Sequence, residues 1–148
     1  GVSPPDVFLQ SFDMEDILYW KSAYPEFGKN AVWLDGRNKI PFFKPTLEDM
    51  QRLKEKGIDI IAPPIPVLVR TAENGELAVS DYARFAKSVG LKIMTWTFES
   101  YRVNATLYSE TPGRMLEVLD FLSEEVGIIG IFSDWPGTVT YYANCMAK

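Results

Sequence analysis

Histidine is absent from all 148 residues. That removes the commonest general base and metal ligand at neutral pH, so any proton transfer by this chain falls to carboxylates. A single cysteine, Cys145, excludes an internal disulfide and a cysteine-based zinc site. With no histidine to activate it, the expectation is a small buried apolar residue rather than a nucleophile. Ser11 and Ser133 lack an activating base for the same reason, and there is no Ser-x-x-Lys pattern. No apolar run reaches the ~18 residues that span a bilayer. Neither a Gly-x-Gly-x-x-Gly nor a P-loop pattern follows any apolar run, which removes the usual nucleotide-binding motifs. Positive charge is scarce, with 15 Lys and Arg against 20 Asp and Glu for a net charge of −5, and it is unclustered. Nucleic acid is therefore excluded as a partner. The chain opens Gly1-Val-Ser-Pro-Pro-Asp6, which resembles neither a signal peptide nor a start at Met, so processing ahead of Gly1 is expected.

What is present is an ordinary globular composition, 47% hydrophobic and 24% charged, in a chain long enough for one sizeable core. A single domain over residues 1–148 is expected. Three segments repeat one grammar of helix cap, amphipathic helix, glycine and apolar strand. Thr46 caps a helix carrying Leu47, Met50 and Leu53, followed by Gly57 and a strand over Ile58–Ala62. Ser80 caps a helix carrying Tyr82, Phe85, Ala86 and Val89, followed by Gly90 and a strand over Leu91–Thr97. Thr111 caps a third helix with Pro112 at its first position, followed by Gly127 and a strand over Ile128–Phe132. Caps and prolines suit helix starts, and glycine suits a left-handed exit. Val7–Phe12 and Ala31–Leu34 read as two earlier strands around a helix from Met14 to Tyr24 capped by Asp13. Strands apolar on both faces, alternating with helices, imply an α/β protein with a parallel sheet. A (β/α)8 barrel needs at least ~200 residues, so four or five units make a little over half of one. An open doubly wound sheet is the alternative.

The proline-rich Ala62–Val67 segment predicts a rigid loop without helix. Asn74-Gly75 predicts a turn, and Glu99–Glu110 a long loop. In a barrel the C-terminal strand ends share one face, and four acids, Asp13, Asp35, Glu99 and Asp134, fall at such ends. Carboxylates of this kind suit Ca²⁺ or Mg²⁺, while Asp13 and Asp134 equally suit helix caps. Trp96 falls on one face with Met94 and Phe98 by strand alternation, as core or as a pocket wall. Trp135 is expected to pack at the start of the last helix, with Tyr141 and Tyr142 as its packing and surface residues. Asn104-Ala-Thr106 matches a glycosylation acceptor and points to a secreted or cell-surface protein.

The ordered set Leu9-Gln-Ser-Phe-Asp13, Ile61-Ala-Pro-Pro64, Ser80-Asp-Tyr-Ala83, Gly90-Leu-Lys-Ile-Met-Thr-Trp-Thr97, Gly130-Ile-Phe-Ser-Asp-Trp-Pro136 and Tyr142-Ala-Asn-Cys145 resembles the C-terminal part of glycerophosphodiester phosphodiesterases. The resemblance implies the C-terminal half or more of a (β/α)8 barrel that cleaves glycerophosphodiesters, such as glycerophosphocholine, to glycerol 3-phosphate and an alcohol. It implies Ca²⁺ or Mg²⁺ as cofactor of the parent enzyme. The family's His-Arg-Gly motif, Glu-x-Asp motif, second His and middle-strand Glu have no counterpart here. The resemblance thus implies no catalytic residue and no metal ligand in this chain. What it implies instead is a substrate-facing set of Ser11, Phe12, Trp96 and Asp134, with Trp96 walling the glycerol subsite. The chain alone is expected to be inactive and to pair with a missing N-terminal half or with a second copy. A non-catalytic half-barrel that dimerises is the alternative function.

Overall fold

The computed structural model describes residues 1–98 and 114–146. Strands β1 (Gln10–Ser11), β2 (Val32–Leu34) and β3 (Ile60–Ala62) alternate with helices α1 (Met14–Ala23), α2 (Pro25–Gly28) and α3 (Leu47–Glu55). After β3 come a single turn α4 (Ile65–Leu68), an antiparallel hairpin of β4 (Val69–Thr71) with β5 (Leu77–Val79), and α5 (Asp81–Ser88). Strand β6 (Lys92–Thr95), helix α6 (Arg114–Phe121) with a π-helical turn over Leu122–Val126, strand β7 (Gly130–Ile131) and α7 (Pro136–Met146) complete the described order.

Five strands form one parallel sheet in the order β1-β2-β3-β6-β7. Neighbours follow chain order and the direction of winding never reverses, unlike a doubly wound sheet, which has a switch point where ligands bind. The alternation of the pleat sorts residues onto two faces. Trp33, Ile61 and Ile93 face the helices, in a core with Ile17, Met50, Leu53, Tyr82, Ala86, Val118 and Leu122. Val32, Ile60, Ala62 and Met94 face the other way, joined by Leu34, Trp96 and Phe132.

The helix boundaries follow from local chemistry. Asp13 accepts the Glu15 N–H at 2.9 Å, and Ser80 accepts that of Ala83 at 3.2 Å. Thr46 and Asp49 form a reciprocal capping box. The three expected exits, Gly57, Gly90 and Gly127, have φ of 91°, 75° and 72°, a region that side chains with a Cβ avoid. Thr111 and Pro112 lie outside the described residues.

Several expectations need correction. Residues 65–68 are helical despite the prolines, because Pro66 sits in the first turn, where its missing N–H has no intrahelical partner to lose. The Asn74-Gly75 turn closes a hairpin that the sequence reading did not foresee. Phe98 does not share a face with Trp96: β6 ends at Thr95, and Phe98 is fully buried in the helix-side core, its N–H on the Phe132 carbonyl. Cys145 is exposed rather than buried, since α7 buries none of its residues. Trp135 is 64% exposed rather than packed into the core at the start of the last helix. The strands themselves are shorter than expected, because the hydrogen-bonded ladder covers only part of each apolar run.

Two polar clusters fix the frame. At the N-terminal end of β3, Asp59 binds Lys21 of α1 and Lys54 of α3, the latter at 2.6 Å, while Lys21 also donates to the Gly57 carbonyl at 2.6 Å. At the C-terminal end of β2, Asp35 is 2% exposed. It accepts Arg37 Nε at 2.9 Å and Arg37 Nη2 at 2.7 Å on its two oxygens, and the Tyr82 hydroxyl of α5 at 2.7 Å. Two donors from one guanidinium on one carboxylate make the strong, directional form of the ion pair.

Both clusters generate pH-dependent predictions. Burial pushes the Asp59 carboxyl up, but hydrogen bonds and charge from Lys21 and Lys54 outweigh it and hold it below its ordinary 3.8. A depressed carboxylate stabilises the fold above its unfolded pKa and ceases to do so as pH falls. Asp59→Asn is expected to cost about 1 kcal/mol at pH 7, the upper range for solvent-screened pairs. That difference in urea unfolding should shrink below about pH 4. Tyr82 lies well above its ordinary 10.0, raised first by burial and then by the charge and hydrogen bond of Asp35. Its contribution is complete below the unfolded pKa and is lost as pH rises past about 10. Tyr82→Phe should cost about 1–3 kcal/mol by leaving Asp35 short of a donor, and it should flatten the alkaline loss of stability.

Candidate functional site

The C-terminal ends of the parallel strands bring Phe12, Asp35, Pro64, Trp96 and Phe132 toward one end of the sheet. Trp96 is the best anchored of these. Its indole N–H donates to the Ala62 carbonyl at 2.6 Å, and its own carbonyl accepts the Ile65 N–H at 3.1 Å. The neighbouring Thr95 hydroxyl is buried and donates to the Pro63 carbonyl at 2.8 Å. The Trp96–Thr97 peptide is cis. Half-buried and locked to β3, the Trp96 ring meets the Phe12 ring edge-to-face, centroids 5.7 Å apart at 85°. Phe12 keeps 55% of its surface exposed, so the pair forms an apolar wall open to solvent on one side.

Phe12 and Trp96 stand just beyond the ends of β1 and β6, strands three steps apart in the sheet, roughly 14 Å if it were flat. The two side chains reach toward each other across that span.

The other expected residues are placed differently. Ser11 Oγ donates to Asp16 Oδ2 at 2.7 Å and accepts the Asp13 N–H at 3.0 Å, so its hydroxyl turns to the start of α1. Asp134 is exposed after β7, where the neighbouring Ser133 Oγ accepts the Trp135 N–H at 3.1 Å. Of the four strand-end acids, Asp13 is the helix cap and Asp35 is held by Arg37 and Tyr82. Glu99 lies outside the described residues. Among the described residues no group of three or more His, Cys, Asp or Glu is arranged to hold a metal ion.

The sequence reading missed a cavity of about 340 Å³ beside this wall, lined by Phe12, Trp33, Leu34, Gly36, Arg37, Lys39 and Ile40. Trp33 is 7% exposed and donates its indole N–H to the Phe12 carbonyl at 3.1 Å, joining the ends of β1 and β2. Arg37 lies between two rings, 5.0 Å from Trp33 and 4.8 Å from Phe43. Burial lowers its pKa, yet the Asp35 hydrogen bonds and charge outweigh this and raise it above the ordinary arginine value, so Arg37 is a permanent cation. Lys39 is exposed, its ammonium 5.9 Å from the centroid of Phe12. The only available signal was the Asp35-Gly-Arg37 spacing, since Tyr82 joins from 47 residues away.

No family model matches the chain. A protein of Arthroderma benhamiae, named an extracellular protein, is 35% identical over a 158-residue alignment that covers 97% of this chain and 64% of that protein. The solved structure of a protein from Silicibacter pomeroyi DSS-3, described as a glycerophosphoryl diester phosphodiesterase, matches with a TM-score of 0.58 and 16% identity. It covers 97% of this chain and 39% of the other. At that identity the match establishes a shared fold, and this chain spans well under half of the protein that has it.

Proposed function

We propose that this chain is the C-terminal, substrate-facing portion of a glycerophosphodiester phosphodiesterase barrel. The observation that carries the reading is the Phe12–Trp96 wall. It stands at the C-terminal end of a parallel sheet whose strands follow chain order, where barrel enzymes build their sites. The fold shared with the Silicibacter pomeroyi structure supports it. In this reading Trp96 and Phe12 hold the carbon face of the glycerol, with Ser11, the last residue of β1, and Asp134, after β7, at its margins; the Ser11 hydroxyl itself is engaged by Asp16. The substrate is a glycerophosphodiester, and the products are glycerol 3-phosphate and an alcohol. A chain with no histidine does not supply the acid and base, and the described acids do not fit a Ca²⁺ or Mg²⁺ site. We assign those groups to parts of the protein outside residues 1–148. Similarity to a protein named extracellular supports secretion or display at the cell surface, and among the described residues no helix is long and apolar enough to cross a membrane.

A second reading is favoured by the open edges of the sheet. Among the described residues, strands β1 and β7 each have one neighbour in it, and unpaired strand edges drive association. A non-catalytic half-barrel would meet that demand by pairing with a second copy.

The test uses a panel of glycerophosphodiesters with different alcohols, followed by release of glycerol 3-phosphate in Ca²⁺ or Mg²⁺. The full-length protein should turn them over and residues 1–148 alone should not. In the full-length protein Trp96→Ala should raise KM about tenfold, the loss of one apolar contact surface of 1–2 kcal/mol. Turnover by the isolated chain, or a full-length protein inert on the whole panel, would reject the reading.

A further inference from the structure

The cavity beside Phe12 has a charge that its aromatic lining conceals. Trp33 and Phe12 are rings of the kind that welcome a quaternary ammonium. Here cations of the chain itself already stand over both: the Arg37 guanidinium 5.0 Å from Trp33, and the Lys39 ammonium 5.9 Å from Phe12. Arg37 is matched by Asp35 at 2.7 Å, and that pair carries no net charge. Lys39 is left as the excess charge of the lining, which contains no carboxylate. Because Phe12 belongs both to the Trp96 stack and to this lining, the cavity adjoins the proposed glycerol wall. A ligand lying against that wall extends naturally into it.

We propose that this cavity is an anion-binding subsite, with Lys39 its specificity-determining residue. Resting on the function proposed above, it selects diesters whose alcohol bears a phosphate or carboxylate and disfavours those ending in choline. Repulsion from Lys39 and occupied ring faces both act against a cationic head group. Arg37 is a positioning residue: its Nε and Nη2 donate to Asp35, and its guanidinium lies against the Trp33 and Phe43 rings.

The test titrates the full-length protein with inorganic phosphate, acetate and choline, following the backbone amides of residues 36–40 by NMR. Phosphate or acetate should shift them, and the stronger of the two identifies the anion. Choline should not shift them. Lys39→Glu should weaken anion binding about tenfold or more, and Lys39→Arg should restore it. Equal response to choline, or anion shifts unchanged by Lys39→Glu, would overturn the proposal. In turnover, Lys39→Glu should move the ratio of kcat/KM for glycerophosphoinositol phosphate over glycerophosphocholine toward the choline diester by a similar factor. An unchanged ratio overturns the selectivity. A protein that binds phosphate through Lys39 but cleaves no diester supports the subsite and rejects only the hydrolase reading.

Discussion

The presenting end of the sheet depends on one buried charge. A carboxylate at the position of Asp35, sealed from water at the end of β2, is tolerated only if its oxygens are fully met by donors. Arg37 meets both oxygens and Tyr82 adds a third bond, from a helix 47 residues further on. Meeting that demand has structural consequences. The chain must fold back after Gly36 to bring Arg37 round, and α5 must sit where its Tyr82 can reach. The guanidinium then fills the space between Trp33 and Phe43. Removing the carboxylate would release all three constraints at once, and for a pair this buried the cost is about 3–5 kcal/mol.

A second constraint is met on the neighbouring strands. The indole N–H of Trp96 is tied to the Ala62 carbonyl, and that of Trp33 to the Phe12 carbonyl. Each tryptophan thus uses its one donor to fasten adjacent segments and presents only hydrocarbon to its surroundings. The Trp96 ring and the Phe12 backbone are thereby fixed to their neighbours. Beyond the cavity, Phe42 follows Pro41 with φ of 61° and is 99% exposed, a conformation that costs a residue with a Cβ about 1–2 kcal/mol. Its own contacts do not offset that cost.

Much of this architecture was legible in the residues. Caps and glycine exits are local chemistry, so Asp13, Thr46, Ser80, Gly57, Gly90 and Gly127 were placed by a few neighbouring residues each. Parallel strands were legible because burial on both faces leaves an unbroken apolar run. The hairpin at Val69–Val79 was not, since its strands are short and half-exposed and show no alternation. Trp96 and Phe12 were named, but their mutual contact joins the ends of strands three steps apart, a tertiary arrangement that no local residue pattern encodes. The Asp35 cluster was invisible for a related reason: at strand ends an acid is equally suited to a cation, a cap or an arginine. The choice among them is made by Tyr82 and the loop, through contacts across elements.

An aromatic wall and a scarcity of open carboxylates occur together among the described residues for a physical reason. A carboxylate can act on a substrate or a metal only through lone pairs that the fold has left open. Asp13 spends an oxygen on the first turn of α1, and Asp35 spends both on Arg37 and Tyr82. Asp16 receives Ser11, which removes that hydroxyl from the mouth of the site. Among the described residues, the cavity beside Phe12 presents apolar surface and the Lys39 ammonium, with no carboxylate in its lining. Such a lining can position a ligand and discriminate its charge. In the function proposed above, bond cleavage at this wall draws its donors and acceptors from other parts of the protein.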